Sequence, residues 1–214
     1  MPDEQPTETI PQMPKQPIVA PPAPAQTMAR PKTIYINFFD GINESKVKGF
    51  MALLSDIVAR HRPETLYFLF ASPGGSVDAG IVLYNFLRAL PLEIVMHNTG
   101  SVDSIGTVIF LAGTKRYAAQ HSTFLFHGVQ TIFPANSQVS HGHLAERLNR
   151  LRQDENKIAG IVADRSKLSA SEIRKLFHQG ETKDIAFAIK KGIIHEARDV
   201  NIPKDAPFIT VNLN

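Results

Sequence analysis

Residues 66–76 carry the sequence LYFLFASPGGS, and this stretch decides the fold that we expect for the chain. The short apolar run at its start is typical of a strand buried on both faces of a sheet. The Ser-Pro-Gly-Gly-Ser turn follows at once, and a proline next to two glycines favours a tight bend with exposed backbone N–H groups. Apolar residues then recur at helical spacing in 81–90. A strand, a glycine turn and a helix in this order indicate one unit of a parallel α/β sheet.

The same alternation extends to both sides of this stretch. Short apolar runs predict strands, and apolar residues three or four positions apart predict helices. The predicted strands are 34–39, 66–70, 93–96 and 123–126, and the predicted helices are 47–58, 81–90, 104–110, 144–161, 170–178 and 184–191. Strands connected by helices favour a mostly parallel sheet with helices packed on its faces.

The uneven distribution of proline along the 214 residues separates an N-terminal arm from the rest of the chain. Residues 1–30 hold 8 of the 15 prolines and no glycine, so we expect a disordered proline-rich N-terminal arm. The chain as a whole is 43% hydrophobic and 20% charged, which suits a globular domain with a real core. We place this domain at residues 31–200, and we expect 201–214 to be a C-terminal tail.

Composition excludes several classes of function. The chain has no cysteine, which rules out disulfides, thiolate metal sites, iron–sulfur clusters and a cysteine nucleophile. A net charge of +3 is too weak to indicate nucleic-acid binding. No apolar run is long enough to cross a membrane, and the N-terminus lacks signal-peptide features, so we expect a cytoplasmic protein. No phosphate-binding loop motif and no metal-ligand cluster stand out, and we expect no cofactor.

Two turns and one histidine are the candidate site residues. The loop 72–76 exposes N–H groups that could hold an anion, although a plain turn has the same composition. Ser104 follows a predicted strand in the segment GSVDSIG, so it is either an exposed nucleophile or a simple helix cap. His127 closes the strand 123–126, where catalytic groups emerge in α/β sheets, but a structural histidine would fit as well.

Order and spacing together are more specific than any single motif. The loop Ser72–Gly80, the turn around Ser104, the segment Ala112–Ala118 and the strand Ser122–His127 follow one another along the chain. This succession resembles the Clp protease proteolytic subunit (ClpP) family. The resemblance extends from about residue 33 to residue 197. It implies the ClpP/crotonase superfold, an α/β fold of repeated ββα and βαβ units with a mostly parallel sheet and flanking helices.

The resemblance also implies a serine endopeptidase. Ser104 would be the nucleophile and His127 the general base. The backbone N–H groups of Gly75 and Ile105 would form the oxyanion hole. Peptides or unfolded proteins would be the substrates, and homo-oligomeric rings would stack through the long helix near 141–164. An ATPase unfoldase is a conceivable partner, but the arm 1–30 differs from the family's ATPase-binding loop and does not indicate one.

The third member of the catalytic triad is where the resemblance fails. The family's spacing leads to Gly180 instead of an acid, so Glu181 is a tentative third member and Asp184 lies nearby. Asp103 replaces the usual small residue before the nucleophile. Three alternatives therefore stay open, namely a catalytically weak or inactive ring or scaffold subunit, a crotonase-type acyl-CoA enzyme, and a Ser–Lys dyad with Lys115.

Overall fold

Six helices flank an eight-stranded sheet in residues 31–212, the part of the chain that this computed structural model describes. The strands span Thr33–Phe39 (β1), Thr65–Ser72 (β2), Glu93–Asp103 (β3), Lys115–Ala118 (β4), Thr123–Leu125 (β5), Thr182–Lys183 (β6), Glu196–Ala197 (β7) and Phe208–Thr210 (β8). The helices span Glu44–His61 (α1), Val77–Ala89 (α2), Ile105–Phe110 (α3), His141–Arg165 (α4), Ala170–Gln179 (α5) and Ile185–Lys190 (α6). None of these helices combines the length and apolarity needed to cross a bilayer.

The sheet is almost entirely parallel, as the sequence predicts. Its main path runs β6-β5-β3-β2-β1-β8, and of these pairs β5–β6 is antiparallel. β3 has two partners on the same side, because Val95–Asn98 pair with β4 and Ser101–Asp103 pair with β5. β4 in turn pairs with β7. The predicted α/β fold with a mostly parallel sheet and flanking helices is therefore confirmed.

Local sequence explains the strand–helix units next to the site. α1 buries one stripe of apolar side chains on the sheet, and the Asn43 side chain caps its first turn by accepting from the Lys46 N–H at 2.9 Å. In the core beneath it, the Phe38 ring lies 4.9 Å from Phe50 and 5.3 Å from Phe70. Aromatic pairs at such distances add to the free energy gained by burial. α1, β1 and β2 thus form a rigid base for the turn that follows β2.

A buried arginine connects the C-terminal ends of α3, α4 and α6. The guanidinium of Arg116 donates hydrogen bonds to the backbone carbonyls of Gly113, Arg165, Gly192 and Ile193 at 2.7–3.1 Å. These carbonyls follow or end α3, α4 and α6, so the charge sits where three helices present their negative ends. Burial lowers the pKa of Arg116 to about 10.

The segment after residue 198 packs on the opposite face of the sheet. Tyr35, Tyr67 and Val95 form a small buried cluster there, and Ile202 and Ala206 pack against it. The predicted C-terminal tail, 201–214, also contributes β8, which pairs with β1 in parallel. The predicted N-terminal arm, 1–30, lies outside the described residues.

Candidate active site

A cavity of about 260 Å³ lies where β2 and β3 end and α2 and α3 begin. Ser104, His127, Gly75 and Ile105 all line it, so four of the five residues expected from the sequence meet at one place. Apolar side chains of other elements complete the wall, among them Val77, Phe126, Ile158 and Phe177. The cavity thus combines a hydroxyl, an imidazole and backbone amides on an apolar lining.

Ser104 lies between β3 and α3 in an unusual backbone conformation. Its φ and ψ are 56° and −130°, a region that side-chain-bearing residues rarely adopt and that marks functional turns. Its backbone N–H donates to the carbonyl of Leu125 at 2.9 Å, which ties it to β5, the strand that precedes His127. The side chain makes no capping hydrogen bond to α3. Ser104 therefore lines the cavity without its side chain capping the helix.

The glycine turn after β2 brings backbone N–H groups beside Ser104. Gly74 has a φ of +87°, and a Cβ atom there would lie 2.5 Å from the Cβ of Ser104. The bonds from Ile42 N–H to Gly74 O and from Ser76 N–H to Ile42 O, both 2.8 Å, fix the turn on Ile42, two residues before α1. The Gly75 N–H makes no hydrogen bond within residues 31–212. As the first residue of α3, Ile105 has no partner for its N–H within the helix.

The imidazole of His127 is half-buried and held by its own chain. Its Nδ1 lies 2.8 Å from the carbonyl oxygen of Gly128. A carbonyl can only accept, so Nδ1 carries the proton and Nε2 is left as the acceptor. The hydrogen bonds found in the described residues do not join His127 to the Ser104 hydroxyl; the two side chains share the cavity.

The two acidic residues that complicate the sequence pattern both lie away from this cavity. The Glu181 carboxylate is largely exposed and lies 2.7 Å from Lys183 Nζ, and this contact lowers the pKa of Glu181. Glu181 is not in the cavity wall. Asp103 accepts a hydrogen bond from the Ser101 hydroxyl at 2.5 Å and lines a separate cavity with Phe39. Neither carboxylate therefore contacts His127 in this conformation.

A carboxylate that the sequence analysis missed binds the segment after His127. Glu155, on α4, accepts a hydrogen bond from the Val129 N–H at 3.2 Å. The Gly128 N–H donates to the carbonyl of Phe177 on α5 at 3.0 Å. Helical periodicity places Glu155 on α4, but no local signal tells which loop that helix meets.

A second, larger cavity of about 530 Å³ continues the first. The two share wall residues from the glycine turn, from α2 and from the segment after His127. Asp78 on α2 and Arg150 on α4 form an ion pair beside it, and Arg150 also binds the buried Asp154 at 3.2 Å. Most of its lining residues are polar or charged, and we refer to this second cavity as the polar groove. No group of three or more potential metal ligands occurs among the residues described.

Comparison with known proteins agrees with this arrangement. A model of the Clp protease family matches residues 25–200. The ATP-dependent Clp protease proteolytic subunit of Lactococcus lactis subsp. cremoris (strain SK11) is 27% identical over 165 residues, which cover 75% of this chain and 80% of the relative.

Two further relatives carry the name ATP-dependent Clp protease proteolytic subunit 2. The protein of Pseudomonas aeruginosa is 26% identical over 170 residues, which cover 76% of this chain and 82% of the relative. The protein of Thermobifida fusca (strain YX) is 33% identical over 106 residues, 48% of this chain and 51% of the relative. Because the family model spans most of the folded part, the chain belongs to the Clp protease family, as its motifs predict.

Proposed function

We propose that this protein is a serine endopeptidase that cleaves peptide bonds through an acyl-enzyme on Ser104. The observation that carries the proposal is the shared cavity of Ser104 and His127, with the N–H groups of Gly75 and Ile105 on its wall. A nucleophile, a base and two amide donors around one space are the parts that acyl transfer requires.

The chemistry follows from the roles of these groups. The Ser104 Oγ attacks the substrate carbonyl while His127 Nε2 takes the hydroxyl proton. The N–H groups of Gly75 and Ile105 donate to the oxyanion of the tetrahedral intermediate, and losing one such donor costs about 2.7–4 kcal/mol of transition-state stabilisation. The protonated imidazole then gives its proton to the leaving amine. Water attacks the acyl-enzyme by the same route and frees Ser104.

A backbone carbonyl takes the part expected for the third member of the triad. An acid in that position holds the histidine in the tautomer that leaves Nε2 free. Here the Gly128 carbonyl accepts from Nδ1 at 2.8 Å, whereas Glu181 binds Lys183. We therefore assign the orientation of His127 to Gly128 O and give Glu181 no role in this conformation.

We further propose that copies of the chain assemble into a homo-oligomeric ring. α4 exposes apolar side chains on its first turns, where Leu144 is 50% and Leu148 is 47% exposed. An apolar stripe of this kind requires burial by a partner surface. The polar groove beside the cavity suits a peptide or an unfolded protein as substrate. An ATPase partner is not part of the proposal, and a cytoplasmic location stays a prediction.

A fluorophosphonate probe tests the proposal directly, because it reacts with activated serine hydroxyls. We expect the wild type to be labelled on Ser104 and the Ser104→Ala variant to be unlabelled. Ser101→Ala is the matched control, since the Ser101 hydroxyl binds Asp103 away from the cavity. A wild-type protein that is folded and takes up no label would refute the endopeptidase.

One observation favours a second candidate, a ring subunit with weak or no catalysis. The Ser104 hydroxyl and His127 are not hydrogen-bonded, and no carboxylate within residues 31–212 contacts the imidazole. Loss of the acid in a known triad lowers turnover by about 10⁴-fold. This candidate predicts an assembled, folded wild type that neither reacts with the probe nor cleaves an unfolded protein.

A further inference from the structure

We propose that Glu155 is a positioning residue for the catalytic histidine: from α4 it holds the peptide segment whose carbonyl orients His127. The inference rests on the proposed function, since it assigns a residue to the machinery of that same site. The family spacing leads us to expect an acid near residue 180, and in this inference the acid is instead Glu155 on α4.

The segment His127–Val129 is held from two sides. On one side the Gly128 N–H donates to the Phe177 carbonyl of α5 at 3.0 Å. On the other side the Val129 N–H donates to Glu155 Oε1 on α4 at 3.2 Å. The Gly128 carbonyl between these anchors accepts from His127 Nδ1 at 2.8 Å. The two anchors thus fix the direction of the carbonyl that selects the tautomer of His127.

The residue at position 128 fits this role. A Cβ atom on Gly128 would lie 2.8 Å from Glu155 Oε1, closer than side-chain carbons normally approach an oxygen. Glycine at this position therefore lets the carboxylate reach the backbone. Any larger residue would push Glu155 away from the Val129 N–H.

Basic side chains line a cavity beside Glu155. Glu155 also lines a cavity of about 240 Å³ between α4 and α5, together with Arg152, Arg174 and His178. Within residues 31–212, neither arginine forms an ion pair with Glu155 or with any other carboxylate. Glu155 thus acts through the Val129 N–H that it binds, without touching the substrate.

Three variants test the inference. Glu155→Ala removes the acceptor of the Val129 N–H, and we expect kcat for peptide hydrolysis to fall about 10²-fold with KM little changed, the size of effect that a misplaced group causes. Glu155→Gln keeps an acceptor oxygen, so its kcat should lie between those of Glu155→Ala and the wild type. Asp164→Asn removes a charge from an exposed position of the same helix and serves as the matched control.

A spectroscopic readout separates positioning from a merely structural role. We expect the ¹⁵N spectrum of histidine-labelled wild type to show His127 protonated on Nδ1, and that of Glu155→Ala to show a larger share of the Nε2-protonated form. A wild type protonated on Nε2, or a folded Glu155→Ala with unchanged tautomer and kcat, overturns the inference. If Glu155→Ala does not fold, the wild-type tautomer and the Glu155→Gln kinetics decide.

Failure of this inference is distinct from failure of the proposed function. If the wild type hydrolyses peptides and is labelled on Ser104, and Glu155→Ala is equally active, the proposed endopeptidase activity stands and the role of Glu155 is refuted. If the folded wild type is not labelled at all, the proposed endopeptidase activity is refuted. The tautomer comparison still decides in that case whether Glu155 orients His127.

Discussion

Replacing Gly74 by alanine should slow the reaction of Ser104 without unfolding the protein. The added Cβ would lie 2.5 Å from the Ser104 Cβ and 2.9 Å from the Asp103 carbonyl, whereas ordinary contact begins at 3.4 Å. Since both contacts are with atoms next to the main chain, no side-chain rotation relieves them. Ser104 or the turn must therefore move by about 1 Å, and a displacement of that size lowers a catalytic rate about 10²-fold. Alanine at a φ of +87° adds about 1–2 kcal/mol of backbone strain.

The assay is the rate of fluorophosphonate labelling, measured beside thermal unfolding at one protein concentration. Gly100→Ala is the matched control, because its Cβ would meet the Ala71 Cβ at an ordinary 3.8 Å. We expect Gly100→Ala to label close to the wild-type rate and Gly74→Ala to label about 10²-fold more slowly while still folded. A folded Gly74→Ala that labels as fast as the wild type would show that the contact between this turn and Ser104 does not set the reactive geometry.

Three further predictions concern stability and assembly. Arg116→Met removes the arginine donor from the carbonyls of Arg165, Gly192 and Ile193 and leaves the Gly113 carbonyl with Arg165 alone, so the free energy of unfolding in urea should fall by about 3 kcal/mol; a loss below about 1 kcal/mol would contradict this role. Burial lowers the pKa of His97 below its usual 6.5, so the unfolded chain binds the additional proton and the protein should lose stability as the pH falls below that value. The loss amounts to at most about 1.4 kcal/mol per pH unit, and His97→Gln should show a weaker dependence in urea titrations at several pH values. Leu148→Asp should lower the molecular mass of the assembly measured by analytical ultracentrifugation. Asn156→Asp, which adds the same charge elsewhere on α4, should leave this mass unchanged.

The sequence alone predicts the strands and turns that meet at the cavity. The apolar run before Ser72 and the glycines after it are a local signal, since strand burial and turn conformation depend on neighbouring residues. The carboxyl ends of parallel strands meet at one edge, so placing Ser104 after β3 and His127 after β5 predicts that they lie close together. The fold class expected from this alternation is confirmed.

The rest depends on contacts between distant parts of the chain. The apolar pattern predicts a strand over 93–96 only, because the polar residues His97 and Asn98 interrupt it. In the structure both residues are fully buried, and β3 continues to Asp103. β4, β6, β7 and β8 have two to four residues each, too few for a periodic signal. Family spacing leads to Gly180, with the adjacent Glu181 as the tentative partner of the histidine. The carboxylate that binds the segment after His127 is Glu155, from a helix whose docking there no local pattern encodes.

The pairing of β8 with β1 has a consequence for biosynthesis. β1 is translated well before Phe208–Thr210, its neighbour on one side. Until β8 is translated, one edge of β1 therefore presents free amide and carbonyl groups, the kind of edge that recruits strands from other polypeptides. The nascent protein, more than the finished one, should depend on chaperones to avoid aggregation in the cell.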